Sequence, residues 1–283
     1  MQMFNIPNLF TAANMLCGTM AIFFTLNGRL EWAPFCVFIA AVLDFFDGFL
    51  ARLLKQQGEL GKQLDSLADM ISFGLAPGVV MLVMLVPSVP LESVFPPNGD
   101  FLLVHWRFTD KPDMMSLQFA YFEMWRNHLL SGHSLNLLPF VGLLIPFFSL
   151  FRLAKFNIDT RQSESFIGLP TPANTIFFMA FPLLLNQYGD AVGWEHDLIM
   201  WMIQPVVLIP IIVIMSVLLV SELPLFALKF KDFKWKGNEI RYIFLISCGL
   251  LIAFTWTWSI AIIVLLYLLM SFIHHILRKK SNV

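Results

Sequence analysis

Four aspartates stand where an apolar chain would ordinarily carry none. Asp44 and Asp47 interrupt one hydrophobic run, and Asp65 and Asp69 open the next. An ionised carboxylate near the bilayer centre costs ~2.5–3.5 kcal/mol on insertion scales, so four of them need compensation. The first pair is spaced i, i+3 and the second i, i+4, which puts each pair on one helical face. Between the pairs, Gly58 and Gly61 in the polar stretch Lys55 to Lys62 predict a short turn. Two antiparallel helices joined there bring both pairs to similar depth. Carboxylate and phosphate oxygens are the ligands that hard divalent cations such as Mg2+ or Mn2+ prefer. Gly48 and Ala51 follow on nearly the same face and leave room for a bulky ligand. Arg52 adds a fixed cation suited to phosphate oxygens. Together these residues predict a site for a metal-bound phosphate ester. An acidic ion pathway, or structural pairing with Arg52 and Lys55, accounts for the same charges.

Composition sets the elements that must position these groups. The 283 residues are 58% hydrophobic and 13% charged, with 30 Phe and 8 Trp, whereas a soluble domain is roughly a quarter charged. A water-soluble globule cannot hide that much apolar surface. The balance excludes a soluble enzyme, a disordered chain and a nucleic-acid binder. It predicts an all-α fold, a polytopic transmembrane helix bundle. Stretches of ~20 apolar residues can span a bilayer. About eight are expected, near 10–27, 32–54, 65–87, 134–156, 171–188, 198–220, 240–256 and 258–277, the last two parted at Trp256-Thr257-Trp258. The chain reads as a single membrane domain over 1–283. Its core covers 6–188 with an extracytoplasmic insertion at 88–133, and additional C-terminal transmembrane helices cover 198–277.

Loop charges predict the orientation. With the N-terminus inside, fourteen of the 18 Lys and Arg fall on the cytoplasmic side, in clusters around Arg52, Arg152, Lys231 and Lys279. Arg29, Arg107, Lys111 and Arg126 fall on the other. The expectation is N-in and C-in, in the cell (inner) membrane, with the aspartates at the cytoplasmic side. No basic run precedes the first apolar stretch, so a cleavable signal peptide is not expected. Cys17, Cys36 and Cys248 lie in separate apolar runs and read as buried small hydrophobes. In the insertion, Pro87, Pro90, Pro96 and Pro97 oppose continuous helix. The mixed stretch Met114 to Leu130 suits a helix lying at the membrane surface, part of a lid or loop.

Written as a string, residues 44–69 read D-x-x-D-G-x-x-A-R-x8-G-x3-D-x3-D. This resembles the signature of the CDP-alcohol phosphatidyltransferase family at every specified position: Asp44, Asp47, Gly48, Ala51, Arg52, Gly61, Asp65 and Asp69. Four further segments resemble the branch of that family that uses L-serine as acceptor. They are Ile6-Pro7-Asn8-Leu9-Phe10-Thr11, Ser72-Phe73-Gly74-Leu75-Ala76-Pro77, Phe151 to Asn157 and Gly168-Leu169-Pro170-Thr171-Pro172. The resemblance covers most of 6–180.

The resemblance implies transfer of a phosphatidyl group from the membrane lipid CDP-diacylglycerol to L-serine, with release of CMP. It implies that Asp44, Asp47, Asp65 and Asp69 hold a divalent cation, Mg2+ or Mn2+, and that Asp69 is the catalytic base. It assigns Asn8, Thr11, Gly48, Ala51, Arg52 and Gly61 to CDP-diacylglycerol, and Ser72, Phe73, Gly74, Arg152 and Asn157 to serine. A homodimer is also implied. The same chemistry with glycerol 3-phosphate, an inositol phosphate or choline as acceptor fits these residues too. A cation channel or transporter is the reading from another class.

Overall fold

The computed structural model describes residues 4–86, 113–131, 137–158, 166–226, 235 and 238–281. Its helices run, in chain order, α1 (Ile6–Leu26), α2 (Ala33–Leu53), α3 (Glu59–Asp69), α4 (Ala76–Leu85) and α5 (Met114–Leu130). They continue with α6 (Leu144–Ile158), α7 (Thr171–Tyr188), α8 (Trp194–Met202), α9 (Pro205–Val220), α10 (Glu239–Thr255) and α11 (Ser259–Ser281). Two-residue strands β1 (Phe166–Ile167) and β2 (Pro224–Leu225) pair antiparallel. Several helix starts follow directly from the sequence. The Asn5 side chain accepts the Asn8 backbone N–H at 2.9 Å and caps α1. Proline stands in the first turn of α1, α2, α7 and α9, where its missing N–H removes no helical bond.

Two helices form the interior. Nearly every residue of α4 and most of α7 are buried, and α7 touches α2, α4, α6, α9 and α11. The outer helices expose large apolar side chains instead, among them Leu16, Phe35, Ile39, Phe45, Leu250 and Phe254. Apolar groups outside suit a lipid solvent, against which they lose nothing. Five stretches are long and apolar enough to cross a membrane: Ile6–Leu26, Leu30–Leu53, Glu59–Leu85, Leu138–Ile158 and Glu239–Ile276. Helices α8 and α9 qualify together as a sixth, bent by 63°. The protein is therefore an all-α, multi-pass membrane bundle.

Helix occupies each of the eight expected stretches, with differences in detail. The expected segment 198–220 is broken between Met202 and Pro205. The expected start at 65 is too late: α3 begins at Glu59, so Gly61 lies in its first turn. The reversal from α2 is confined to residues around Lys55, whose φ is +55°, and Gly58. Glu239–Ile276 would be roughly 57 Å long as one helix, about twice the hydrocarbon thickness. It divides at Trp256, whose φ is +43°, and α10 and α11 pack against each other. Of the expected insertion at 88–133, residues 88–112 and 132–133 lie outside the described residues, and the remainder holds α5. Its Met115, Gln118, Phe122 and Trp125 are buried, and Gln118 Nε2 donates to the Val83 carbonyl at 2.6 Å.

A six-residue π-helical turn, Met70–Leu75, joins α3 to α4. Such turns shift the helical register and are frequent at functional sites. Here Pro77 cannot donate to the carbonyl four residues back. That carbonyl, of Phe73, instead accepts the Thr175 hydroxyl from α7 at 2.7 Å. Neighbouring helices commonly satisfy backbone groups freed by proline within a membrane. Thr175→Val keeps the shape and removes this donor, so the variant should lose about 1 kcal/mol of stability. Thermal unfolding in detergent reads it: a lowered Tm is expected for Thr175→Val and not for Thr175→Ser, and equal Tm values for all three proteins would remove the role.

Candidate metal and phosphate site

Three helices, α1, α2 and α3, build the site. Asp44 and Asp47 come from α2, and Asp65 and Asp69 from α3, as the i, i+3 and i, i+4 spacings require. One carboxylate oxygen from each of Asp44, Asp47 and Asp65 lies within 4.8 Å of the others. Asp69 is one turn further along α3 and is buried. Its carboxyl is within hydrogen-bond reach of Asp44. Three of the four aspartates thus converge directly, and the fourth joins them through Asp44.

Helix α1 supports this group from behind. Its buried residues Pro7, Thr11, Asn14, Gly18, Ala21 and Thr25 form one face. Thr11 Oγ1 donates to Asp47 Oδ2 at 2.6 Å, and Asn14 Nδ2 donates to Asp69 Oδ1 at 3.3 Å. The next small residue, Gly18, lets α1 close on the π-helical turn. A Cβ there would stand 2.5 Å from Ser72 Cα. Packing along α1 therefore fixes the depth at which Thr11 and Asn14 meet the carboxylates.

A cleft of roughly 350 Å³ opens beside Asp47 and Asp65. Asn8, Thr11, Asp47, Gly48, Ala51, Arg52, Gly61 and Asp65 all line it. A Cβ added to Gly48 would meet no protein atom within 4 Å. Packing therefore does not demand glycine at 48, and the open floor is space for a ligand. Gln56, Gln57 and Lys62 also line the cleft. They were not singled out from the sequence, although they lie between the two aspartate pairs.

The residues expected around serine do not form one pocket. Ser72 is fully buried and its hydroxyl donates to the Ala68 carbonyl at 2.9 Å. Phe73 is packed in the core, and Gly74 abuts Met70 and Ser149. Asn157 lies at the exposed end of α6 and donates to Ser66 Oγ at 2.8 Å. Arg152 differs from these. It is 7% exposed, and it interacts electrostatically with Asp69 and with Tyr267 of α11. Its Nε donates to the Leu169 carbonyl.

Leu169 belongs to a short extended strap. Its N–H donates to the Leu218 carbonyl at 3.0 Å, and the Gly168 N–H donates to Leu223 at 3.0 Å. Gly168 has φ +78°, and a Cβ there would stand 2.7 Å from the Leu219 carbonyl oxygen. Only glycine fits. Tyr267 donates to the Phe226 carbonyl at 3.0 Å, next to β2. Tyr267 carries no sequence signal, because a lone tyrosine in an apolar helix reads as core. Asn14 carries one: it continues the 7, 11, 14, 18 face of α1 as an amide among apolar and small residues.

Several known proteins are similar to this chain in sequence. A family model described as CDP-alcohol phosphatidyltransferase matches residues 4–106. A CDP-diacylglycerol–serine O-phosphatidyltransferase of Helicobacter pylori is 30% identical over 233 residues, covering 81% of this chain and 74% of that protein. One of Bacillus subtilis is 30% identical over 192 residues, covering 66% of this chain and 81% of that protein. An archaetidylserine synthase of Methanothermobacter thermautotrophicus is 26% identical over 183 residues, covering 63% of this chain and 58% of that protein.

The donor set fits a hard divalent cation: three carboxylates that would otherwise repel, brought within reach of one ion. Asp47→Ala should weaken metal-dependent binding of CDP-diacylglycerol. Thr11→Val removes only the partner of Asp47 and should raise the Mn2+ dissociation constant about 10–100-fold, as loss of outer partners commonly does. Titration calorimetry in detergent measures both, and unaltered Mn2+ affinity in the two variants would count against Asp47 as a ligand.

Proposed function

The chain belongs to the CDP-alcohol phosphatidyltransferase family, and on that premise we propose that it transfers the phosphatidyl group of CDP-diacylglycerol to L-serine. The products are phosphatidylserine and CMP. The observation that carries this reading is the convergence of Asp44, Asp47 and Asp65 beside a cleft whose floor, at Gly48, is open. The names of the bacterial relatives support serine as the acceptor.

Asp44, Asp47 and Asp65 would hold the cation, Mg2+ or Mn2+, with Asp69 completing the set. When bound, the cation neutralises charge on the diphosphate and on the leaving CMP. Arg52 and Lys62, at the rim of the cleft, meet the diphosphate oxygens. Gly48, Ala51 and Gly61 admit the nucleotide, with Asn8 at the edge. Asp69 takes the proton of the serine hydroxyl as the new O–P bond forms at the phosphatidyl phosphorus. The P–O bond to CMP breaks in the same displacement, and CMP leaves with that oxygen. A hydroxyl is a weak nucleophile at neutral pH, so a positioned base contributes ~10²–10⁴-fold. Arg152, buried on α6 and held at the Leu169 carbonyl, takes the carboxylate of serine.

The wider arrangement follows from the same reading. The transferase core is 6–188, with the 88–133 segment inserted and 198–277 added. The site faces the cytoplasm, where serine arrives from water while acyl chains stay in lipid, and the protein works as a homodimer.

Purified protein given CDP-diacylglycerol and Mg2+ or Mn2+ should release CMP when L-serine is added and stop when the metal is chelated. Release triggered by glycerol 3-phosphate alone would overturn serine as the acceptor. Ion flux in liposomes without any CMP release would favour the channel or transporter reading. Asp69→Asn should lose turnover by at least ~10²-fold yet keep metal-dependent CDP-diacylglycerol binding, and unchanged turnover would remove Asp69 as the base.

A further inference from the structure

Asn14 is the one polar side chain against Asp69 that the family signature leaves unexplained. It is fully buried in the middle of α1, one turn beyond Thr11 and one turn before Gly18. Its amide nitrogen is committed to Asp69 Oδ1 at 3.3 Å. Its side-chain oxygen, on the same carbon as that nitrogen, is buried and has no hydrogen-bond donor among the described residues. A buried carbonyl without a donor is costly, and in native proteins such a group calls for an explanation. The nearby groups on other elements do not supply one. Asp69 is a carboxylate, and the Ser72 hydroxyl, on the turn that Gly18 meets, donates to Ala68.

We infer that Asn14 is a specificity-determining residue for the acceptor, its side-chain oxygen receiving the ammonium group of serine. This rests on the proposed serine transfer and deepens it. Serine carries its ammonium and its hydroxyl on adjacent carbons. An ammonium held at Asn14 sets the hydroxyl against Asp69, which the Asn14 amide itself orients. The serine carboxylate then falls to Arg152, the buried cation of α6. Three contacts of different chemistry thus read an amino acid: a carbonyl for the ammonium, a guanidinium for the carboxylate and a carboxylate for the hydroxyl. An acceptor without the ammonium leaves the Asn14 oxygen bare.

The test compares L-serine with 3-hydroxypropionate, which keeps the hydroxyl and carboxylate and lacks the amine. Wild-type protein is assayed first with CDP-diacylglycerol and Mn2+; no serine-dependent CMP release there would defeat the underlying reading, whatever Asn14 does. In Asn14→Ala, kcat/KM for serine should fall about 10–100-fold further than kcat/KM for 3-hydroxypropionate, the effect of one buried hydrogen bond to a charged group. KM for serine should rise while KM for CDP-diacylglycerol stays put. An equal fall for both acceptors would overturn the inference and reduce Asn14 to a support for Asp69. Metal-dependent CDP-diacylglycerol binding reports whether the variant is folded. If Asn14→Ala loses it, Asn14→Leu, which keeps the bulk and has no oxygen acceptor, carries the same comparison: a selective loss on serine supports the contact, and an equal fall on both acceptors overturns it.

Discussion

Mutual repulsion among carboxylates gathered in an apolar bundle is the constraint that the rest of the molecule answers. Three aspartate oxygens within 4.8 Å of one another, with a fourth carboxyl behind them, store unfavourable charge and desolvation energy. A fold that only maximised stability would disperse them. The packing around α1, α2 and α3 does the opposite. Gly18 brings α1 onto the π-helical turn, and Thr11 and Asn14 then reach two of the four carboxyls with hydrogen bonds. Net stability comes from elsewhere, chiefly from α4 and α7, which are buried on nearly all sides. In the reaction proposed, that repulsion is what a bound cation and the diphosphate would relieve.

The interior also explains why α3 and α4 can serve two demands at once. One side of the hairpin must face a polar cleft, whereas the continuing helix must be apolar all round. The π-helical turn separates these requirements. Its extra residue re-registers the chain, and α7 satisfies the carbonyl that Pro77 leaves behind. Helix α7 is thus both the centre of the core and the element that stabilises the bend next to Asp69.

Much of this was legible in the residues themselves. The spacing of Asp44, Asp47, Asp65 and Asp69 dictated shared helical faces, and the faces do meet. The helix Thr171–Tyr188 and the break at Trp256 were readable because apolar runs and their interruption are strong local signals. The start of α3 was not, because Gly61 in a polar stretch reads as turn chemistry while tertiary packing carries the helix through it. The break between Met202 and Pro205 was hidden inside a continuous apolar run. Ser72 and Gly74 are assigned to serine only by the family resemblance, and in the structure one hydroxyl is spent on the backbone and the other position is filled by packing. Which buried arginine stands near which aspartate is a long-range fact that no local pattern encodes.

The strap at Gly168 and Leu169 has a consequence for how such a protein can diversify. Arg152 is anchored to the Leu169 carbonyl, and the strap is held by α9 through Leu169 and by the chain leading into β2 through Gly168. The carboxylates depend on α1 to α3, whereas this arginine depends on the C-terminal half. In the reaction proposed, the donor lipid is consequently governed by α1 to α3 alone. The acceptor is read from both lengths of polypeptide, by Asn14 and Asp69 in the first and by Arg152 through the second. Drift in the later segments can shift the grip on the acceptor's carboxylate and leave the nucleotide end of the machinery untouched.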